Sequence, residues 1–141
     1  MTARGQAAWD AAFDDAPGTT TPRAPEAPVF DAVEFDTLSE MIGEDGVREM
    51  VAIFESETRQ RLRRLAAGDL DIPTLVREMH TLKGAAGTVA SPRLAVLGRT
   101  FEHSARRGIA PTLEHFKAIE DALEAFLAAV RFRNESPSAS A

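Results

Sequence analysis

Residues 80–88, with the sequence HTLKGAAGT, combine one imidazole, one lysine and two glycines in a short stretch. On an α-helix, which turns about 100° per residue, five apolar residues would form one buried face: Leu75, Met79, Leu82, Ala86 and Val89. His80 points roughly 140° away from that face, with Gly84 and Gly87 beside it and Lys83 on its flank. Because a neutral imidazole is a nucleophile near pH 7, an exposed His80 without side-chain walls around it predicts nucleophilic chemistry.

The two glycines indicate that access to His80 is important. Each glycine inside a helix costs roughly 1 kcal/mol relative to alanine. Close packing against a neighbouring helix is the ordinary explanation for a lone glycine. Gly84 and Gly87 both lie on the outward face, however, where no neighbouring helix is expected. We therefore interpret them as making room for a large incoming group.

Composition restricts the class of protein. The chain has 141 residues, enough for one domain with a modest core, and a net charge of −6, which argues against a nucleic-acid partner. It contains no apolar run long enough to span a bilayer and no signal-peptide pattern, and its lack of cysteine fits a cytoplasmic protein. We expect a cytoplasmic monomer with no membrane or nucleic-acid partner.

Metal and nucleotide chemistry are not indicated by the sequence. Di-metal helical bundles bind their ions through Glu-x-x-His, but the residues three positions before the three histidines are Arg77, Thr100 and Thr112. A glycine-rich phosphate loop is also lacking, and the chain is too short for a nucleotide-binding domain in addition to the helices. The sequence therefore predicts no metal, no bound cofactor and no ATP-dependent kinase activity.

Apolar residues recur at helical spacing and hardly ever alternate, which predicts an all-α fold. A short first helix follows Asp31 and ends at Gly43, and four longer helices begin near residues 45, 71, 91 and 111. Asp71 with Pro73 and Ser91 with Pro92 are each a cap residue followed by a first-turn proline, whereas Gly68 ends the helix before Asp71 and Gly108 ends the helix that follows Ser91. In the helix that begins at Ser91, the apolar spacing places Gly98 on the inner face with Leu94 and Leu97. Short links between long helices favour an antiparallel up-down-up-down four-helix bundle, with the short N-terminal helix across one end. Residues 1–29, which are rich in proline, predict a disordered leader, and residues 134–141 a disordered tail, so the bundle is residues 30–133.

A resemblance to a known family rests on residues 79–89, MHTLKGAAGTV. They resemble the phosphorylation motif of histidine-containing phosphotransfer (HPt) domains, including the related domain at the front of chemotaxis kinases. The resemblance extends over about residues 30–133, and the later pattern of Leu94, Leu97 and Glu102 agrees with it. There is one departure, because many members carry a glycine ten residues after the histidine, where this chain has Ala90.

The resemblance implies a phosphorelay intermediate in two-component signalling. His80 would accept a phosphoryl group on Nε2 from a phospho-aspartyl receiver domain and pass it to another receiver domain. Lys83 would neutralise phosphoryl oxygens in transit, and Gly84 and Gly87 would leave room for the loops of the partner. The partners implied are receiver domains of response regulators, a hybrid histidine kinase, or both. The Mg²⁺ that such transfers need would sit in the acidic pocket of the partner.

Glu102 allows two interpretations. In several family members a glutamine at this position hydrogen-bonds the phosphorylated histidine, so Glu102 could accept from Nδ1–H of His80 and fix the tautomer that leaves Nε2 free. It could equally pair with Arg99 or Arg106 on its own helix, at spacings of three and four residues. Arg106 also allows two interpretations. It matches a position where some family members place a basic residue near the site, and it could equally be a solvated arginine.

Other functions remain open at this stage. His80 could be a surface histidine of a structural bundle, or the chain could be an adaptor or inhibitor that docks on a kinase or receiver without carrying phosphate. It could also be the detached substrate domain of a histidine kinase, with ATP as donor through a separate catalytic domain. For any docking partner, the sequence predicts an apolar contact surface beside His80, with four candidate residues: Met41, Ile42, Val47 and Met50. Some of these four are expected to be core instead, Met50 first among them, because Val47 and Met50 also fall on the inner side of their helix.

Overall fold

The computed structural model describes residues 26–135, and every regular element in that part of the chain is an α-helix. The four helices are α1 (Ala32–Ala67), α2 (Ile72–Thr88), α3 (Pro92–Arg106) and α4 (Leu113–Glu135). Ion pairs show that α1 and α4 are antiparallel, since Arg59 meets Glu124 whereas Arg133 meets Glu44. The prediction of an all-α, up-down-up-down bundle is confirmed.

The predicted short first helix forms the beginning of α1. Gly43, with φ 85° and ψ 160°, interrupts the helical backbone and separates a capping segment, residues 32–42, from the long part of α1. Asp31 caps the segment by accepting a hydrogen bond from the backbone N–H of Glu34 at 3.0 Å. The segment buries its Phe35 in the core, and its Asp36 pairs with Arg133 at the end of α4 at 3.0 Å. The capping segment is thereby held against the end of the bundle.

The folded region begins earlier than the predicted boundary at residue 30. The N–H of Arg93 donates to the carbonyl of Pro28 at 3.0 Å, and its Nε donates to the carbonyl of Ala27 at 2.8 Å. The hydroxyl of Ser91, predicted to cap α3, instead donates to the carbonyl of Val29 at 3.2 Å. Residues 27–29 therefore belong to the domain, as do residues 134 and 135 at the end of α4. The other residues of the predicted leader and tail lie outside the described chain.

The core lies between the four helices and is rich in aromatic and aliphatic side chains, among them Phe35, Phe54, Leu82, Leu97, Phe101, Leu123 and Phe126. Phe54 of α1 and Phe126 of α4 meet edge to face with ring centroids 5.8 Å apart. One of the four candidate docking residues belongs to this core, as the apolar pattern of its helix also indicated. Val47, a predicted docking residue, is 2% exposed and part of the core, because it follows the kink on the inner face of α1.

Arg61 is buried, although it belongs to a run of charged residues with Arg59, Arg63 and Arg64 that is typical of a solvated helix face. It is 5% exposed and lies between α1 and α2, where its Nε is 3.8 Å from the carboxylate of Glu78. The same carboxylate accepts hydrogen bonds from Arg64 at 2.6 Å and 2.9 Å. A buried cation requires a nearby negative charge, and Glu78 supplies it across the helix interface.

Ala90, which stands where many HPt domains have a glycine, adopts a backbone conformation that favours glycine. Its φ of 65° makes it the one non-glycine residue with positive φ among residues 26–135, and its carbonyl accepts a hydrogen bond from Asp31 at 3.0 Å. The left-handed conformation costs an alanine roughly 1–2 kcal/mol, which glycine does not incur. The glycine that many HPt domains carry here fits this backbone directly.

We expect Ala90→Gly to raise the free energy of unfolding by up to about 1 kcal/mol, because relief of backbone strain exceeds the loss of one buried methyl group. Ala90→Val should lower it by about 1–3 kcal/mol, since a β-branched side chain tolerates positive φ poorly. Urea denaturation of the three proteins measures both changes. A large loss of stability in Ala90→Gly would mean that the methyl group is needed for packing.

Candidate functional site

Helix α2 presents His80 to solvent through its local sequence. Asp71 begins the helix by accepting a hydrogen bond from the N–H of Thr74 at 2.9 Å, and Pro73 lies in the first turn. Leu75, Met79, Leu82 and Ala86 are buried on the inner face. The side chain of His80 on the other face is 63% exposed, as the helical spacing predicts.

Gly84 and Gly87 border open space. A Cβ atom added to either residue would have no heavy atom within 4 Å, apart from its own helical surroundings. No packing inside the described chain therefore requires a glycine at either position. Lys83, one turn from His80, is 36% exposed at its side chain and lies on the flank predicted for it.

Glu102 of α3 lies at the centre of the polar contacts around His80. Its carboxylate is 8% exposed, and its two oxygens lie 3.2 Å and 3.3 Å from Nδ1 of His80. Lys83 Nζ is 3.1 Å from Oε1, and Arg106 is 2.8 Å from Oε2. The two pairings that the sequence left open, with His80 and with Arg106, thus occur together.

The charge of Glu102 decides what these contacts do chemically. Burial raises the pKa of its carboxyl, but the hydrogen bonds from Arg106 and Lys83 outweigh burial and hold the pKa below its ordinary value. Glu102 is therefore ionised at neutral pH and can only accept hydrogen bonds. Its contact with Nδ1 needs a proton on that nitrogen, which in a neutral imidazole leaves the lone pair on Nε2.

The other two histidines differ from His80 in their surroundings. His115 is 5% exposed, its ring lies 4.5 Å from that of Phe101, and its Nδ1 accepts a hydrogen bond from the N–H of Thr112 at 3.0 Å. Burial lowers the pKa of His115, so this ring is neutral at pH 7. His103 is half-buried on α3. Nothing in the sequence pattern signalled the burial of His115.

Residues 26–135 show no sign of a metal site or of a membrane-spanning helix. This part of the chain has no group of three or more His, Cys, Asp or Glu side chains arranged to hold a metal ion. None of its helices is long and apolar enough to cross a membrane. Of the four predicted docking residues, Met41 and Ile42 are 75% and 41% exposed, whereas Met50 is half-buried and Val47 is in the core.

Gly98 is the one residue near the site that sequence reasoning did not connect with it. The apolar spacing of α3 placed it on the inner face, and it is buried there against α2. An added Cβ would lie 2.7 Å from the backbone nitrogen of Lys83, so α2 and α3 lie very close together at the turn that carries His80. The signal available in the sequence was a glycine on the inward face of a helix, which is typical of close packing against a neighbouring helix.

Comparison with known proteins identifies the family of this bundle. The family model described as Hpt domain matches residues 49–129, which is more than half of the chain and includes His80 and Glu102. Comparisons with curated proteins and with solved structures gave no match. The chain belongs to the Hpt domain family, the helical phosphocarrier modules of two-component phosphorelays, and the resemblance seen in the sequence is confirmed.

Proposed function

We propose that this protein is a phosphorelay intermediate that accepts a phosphoryl group on Nε2 of His80 from a phospho-aspartyl receiver domain and passes it to another receiver domain. The observation that carries this proposal is the exposed His80 ring with its Nδ1 against the ionised carboxylate of Glu102. Gly84 and Gly87 leave space beside that ring for the partner. Family membership supports the same chemistry.

In the proposed step, the lone pair on Nε2 attacks the phosphorus atom of the aspartyl phosphate. The N–P bond forms as the P–O bond to the aspartate breaks, and the aspartate carboxylate leaves with the electron pair. Positive charge develops on the imidazole, and Glu102 stabilises it through the hydrogen bond from Nδ1–H. The reverse sequence on a second receiver completes the relay.

In this proposal Lys83 pairs with Glu102 before transfer and with the phosphoryl group after it. Its ammonium group contacts Glu102 in the structure, at 3.1 Å, and lies one helical turn from His80. A phosphoryl group on Nε2 would offer this ammonium additional oxygen partners and would draw it away from the carboxylate. Arg106, whose side chain is 61% exposed, is the second cation next to Glu102 and could follow the same exchange.

The partners in this proposal are receiver domains of response regulators, with or without a hybrid histidine kinase. The chain itself would act as a cytoplasmic monomer without kinase activity of its own. Mg²⁺ would enter with the acidic pocket of the receiver, and this chain would bind no cofactor.

Phosphotransfer profiling tests the proposed function. The purified protein is incubated with each phosphorylated receiver domain of its source and Mg²⁺, and the radioactive label is followed with time. We expect rapid label on this chain that is labile in acid and stable in base, the stability pattern of a phosphohistidine. An adaptor would bind a receiver without acquiring label, and a kinase substrate domain would acquire label only from an ATP-dependent kinase.

Docking and chemistry should respond separately to two substitutions. Lys83→Glu should slow transfer at saturating receiver by roughly 10-fold or more while changing affinity little, because its proposed role is at the phosphoryl group. Ile42→Asp should weaken receiver binding by roughly 10-fold while sparing the rate at saturation. Titration calorimetry and single-turnover kinetics measure the two effects. Unchanged affinity in Ile42→Asp would place the docking surface elsewhere.

A further inference from the structure

A very close approach between helices α2 and α3 lies beside the polar contacts of His80. Helices α2 and α3 share the most extensive contact of any described helix pair, and Gly98 is buried in it. A Cβ atom on Gly98 would lie 2.7 Å from the backbone nitrogen of Lys83. It would also lie 3.0 Å from the Cα of Lys83 and 3.0 Å from the carbonyl oxygen of Met79. These two residues bracket His80 along α2, so the contact and the site share one turn of helix.

The atoms that Gly98 contacts belong to the backbone of α2, and this determines how the protein could respond to a larger residue. A side-chain neighbour could move by changing its rotamer, but a helical backbone can move only with its helix. To lengthen the shortest contact from 2.7 Å to the 3.4 Å of ordinary packing, the two helices would have to separate locally by roughly 0.7 Å. Glycine at this position therefore permits an interhelix distance that no other residue allows.

That distance determines whether Glu102 reaches His80. Glu102 lies four residues after Gly98, one turn further along α3 on nearly the same face. Its contacts with Nδ1 of His80, at 3.2 Å and 3.3 Å, are already near the upper limit of a hydrogen bond. A separation of roughly 0.7 Å would carry them beyond that limit.

The three partners of Glu102 would respond differently to such a separation. Arg106 lies on the same helix as Glu102, so its contact of 2.8 Å would survive. His80 and Lys83 belong to α2, so both cross-helix contacts would lengthen together. Glu102 would stay ionised because its ion pair with Arg106 remains, but it would no longer accept a hydrogen bond from the imidazole of His80.

We propose that Gly98 is a positioning residue of this site, which lets α3 lie close enough to α2 for Glu102 to hold Nδ1–H of His80 and so leave Nε2 unprotonated. The inference rests on the proposed function, in which Nε2 is the nucleophile. It adds a residue that touches neither the phosphoryl group nor the imidazole. Its effect on transfer passes entirely through Glu102.

The tautomer of His80 is the direct test, because it can be measured by ¹⁵N NMR without any phosphoryl donor. In a spectrum recorded at alkaline pH, the wild-type protein should show a proton on Nδ1 and a lone pair on Nε2 of His80. Gly98→Ala should shift the population toward the Nε2-protonated form. Gly87→Ala, which adds the same methyl group in open space on α2, should leave the tautomer unchanged. An unchanged tautomer in a folded Gly98→Ala protein would overturn the proposal.

A double-mutant cycle tests whether Gly98 acts through Glu102. Gly98→Ala should slow phosphoryl acceptance by roughly 10-fold to 100-fold, the size expected for a small misplacement of a catalytic arrangement. In a Glu102→Ala background the same substitution should cause no further loss. Multiplicative losses in the double variant would indicate a general structural effect and contradict the proposal. If wild-type His80 accepts no label, the proposed function fails while the tautomer still tests Gly98.

Glu102→Asp keeps the test decisive if Gly98→Ala does not fold. It withdraws the carboxylate by one methylene group without adding bulk between the helices. We expect the same change of His80 tautomer and the same slowing of transfer, because the interhelix distance is set for the length of glutamate. A wild-type tautomer in Glu102→Asp would show that this distance is not critical and would refute the positioning role.

Discussion

Replacement of His80 by glutamine should abolish phosphoryl acceptance and leave the bundle folded. The amide nitrogen of glutamine is not nucleophilic, so no residual transfer is expected at this position. The side chain of His80 is 63% exposed, and glutamine can still donate a hydrogen bond to Glu102. The free energy of unfolding should therefore change by less than about 1 kcal/mol.

Label transfer from a phosphorylated receiver, together with circular dichroism and urea denaturation, measures both parts of this expectation. His103→Gln is the matched control, since it changes a histidine of the neighbouring helix α3 and should keep full acceptance. His115, 5% exposed and with its Nδ1 accepting from Thr112, is too enclosed to replace His80. Label that persists on the His80→Gln protein would disprove the assignment of the carrier residue.

The helix boundaries were predictable because they depend on local chemistry. Asp71 followed by Pro73 marks the start of α2, and both serve there as the pattern indicated. Gly43, Gly68 and Gly108 all adopt positive φ where the sequence placed helix ends. Such positions require a left-handed backbone or a cap, and the residue types that satisfy those requirements are few.

The contacts between helices were not predictable in the same way. Glu102 had His80 and Arg106 as alternative partners in the sequence, because helical spacing states which face a residue occupies but not how two helices are rotated and separated. The same limit explains the burial of Arg61 against Glu78. It also explains why the sequence could not decide which of the four candidate docking residues would be core, as Val47 is. In our proposal the close contact of α2 and α3 at Gly98 lets Glu102 reach His80, and that contact is seen only in the structure.

Gly84→Gln should block phosphotransfer without destabilising the protein. A Cβ at Gly84 would have no neighbour within 4 Å, so the larger side chain extends into the space that we assign to the receiver. Glutamine also has a higher helix propensity than glycine, so the free energy of unfolding should stay unchanged or rise by up to about 1 kcal/mol. A variant that loses transfer but gains stability would show that Gly84 is needed to admit the receiver and not to stabilise the fold.

A graded series makes this expectation sharper. Gly84→Ala should reduce transfer only modestly, whereas Gly84→Gln should reduce it by roughly 100-fold or more, because in-line attack tolerates little displacement of the receiver. Glu120→Gln on the exposed face of α4 is a control for surface substitution and should transfer at the wild-type rate. Full-rate transfer by Gly84→Gln would mean that the receiver does not approach across Gly84. Loss of transfer together with loss of helical signal would instead assign the glycine a structural role, which its open surroundings argue against.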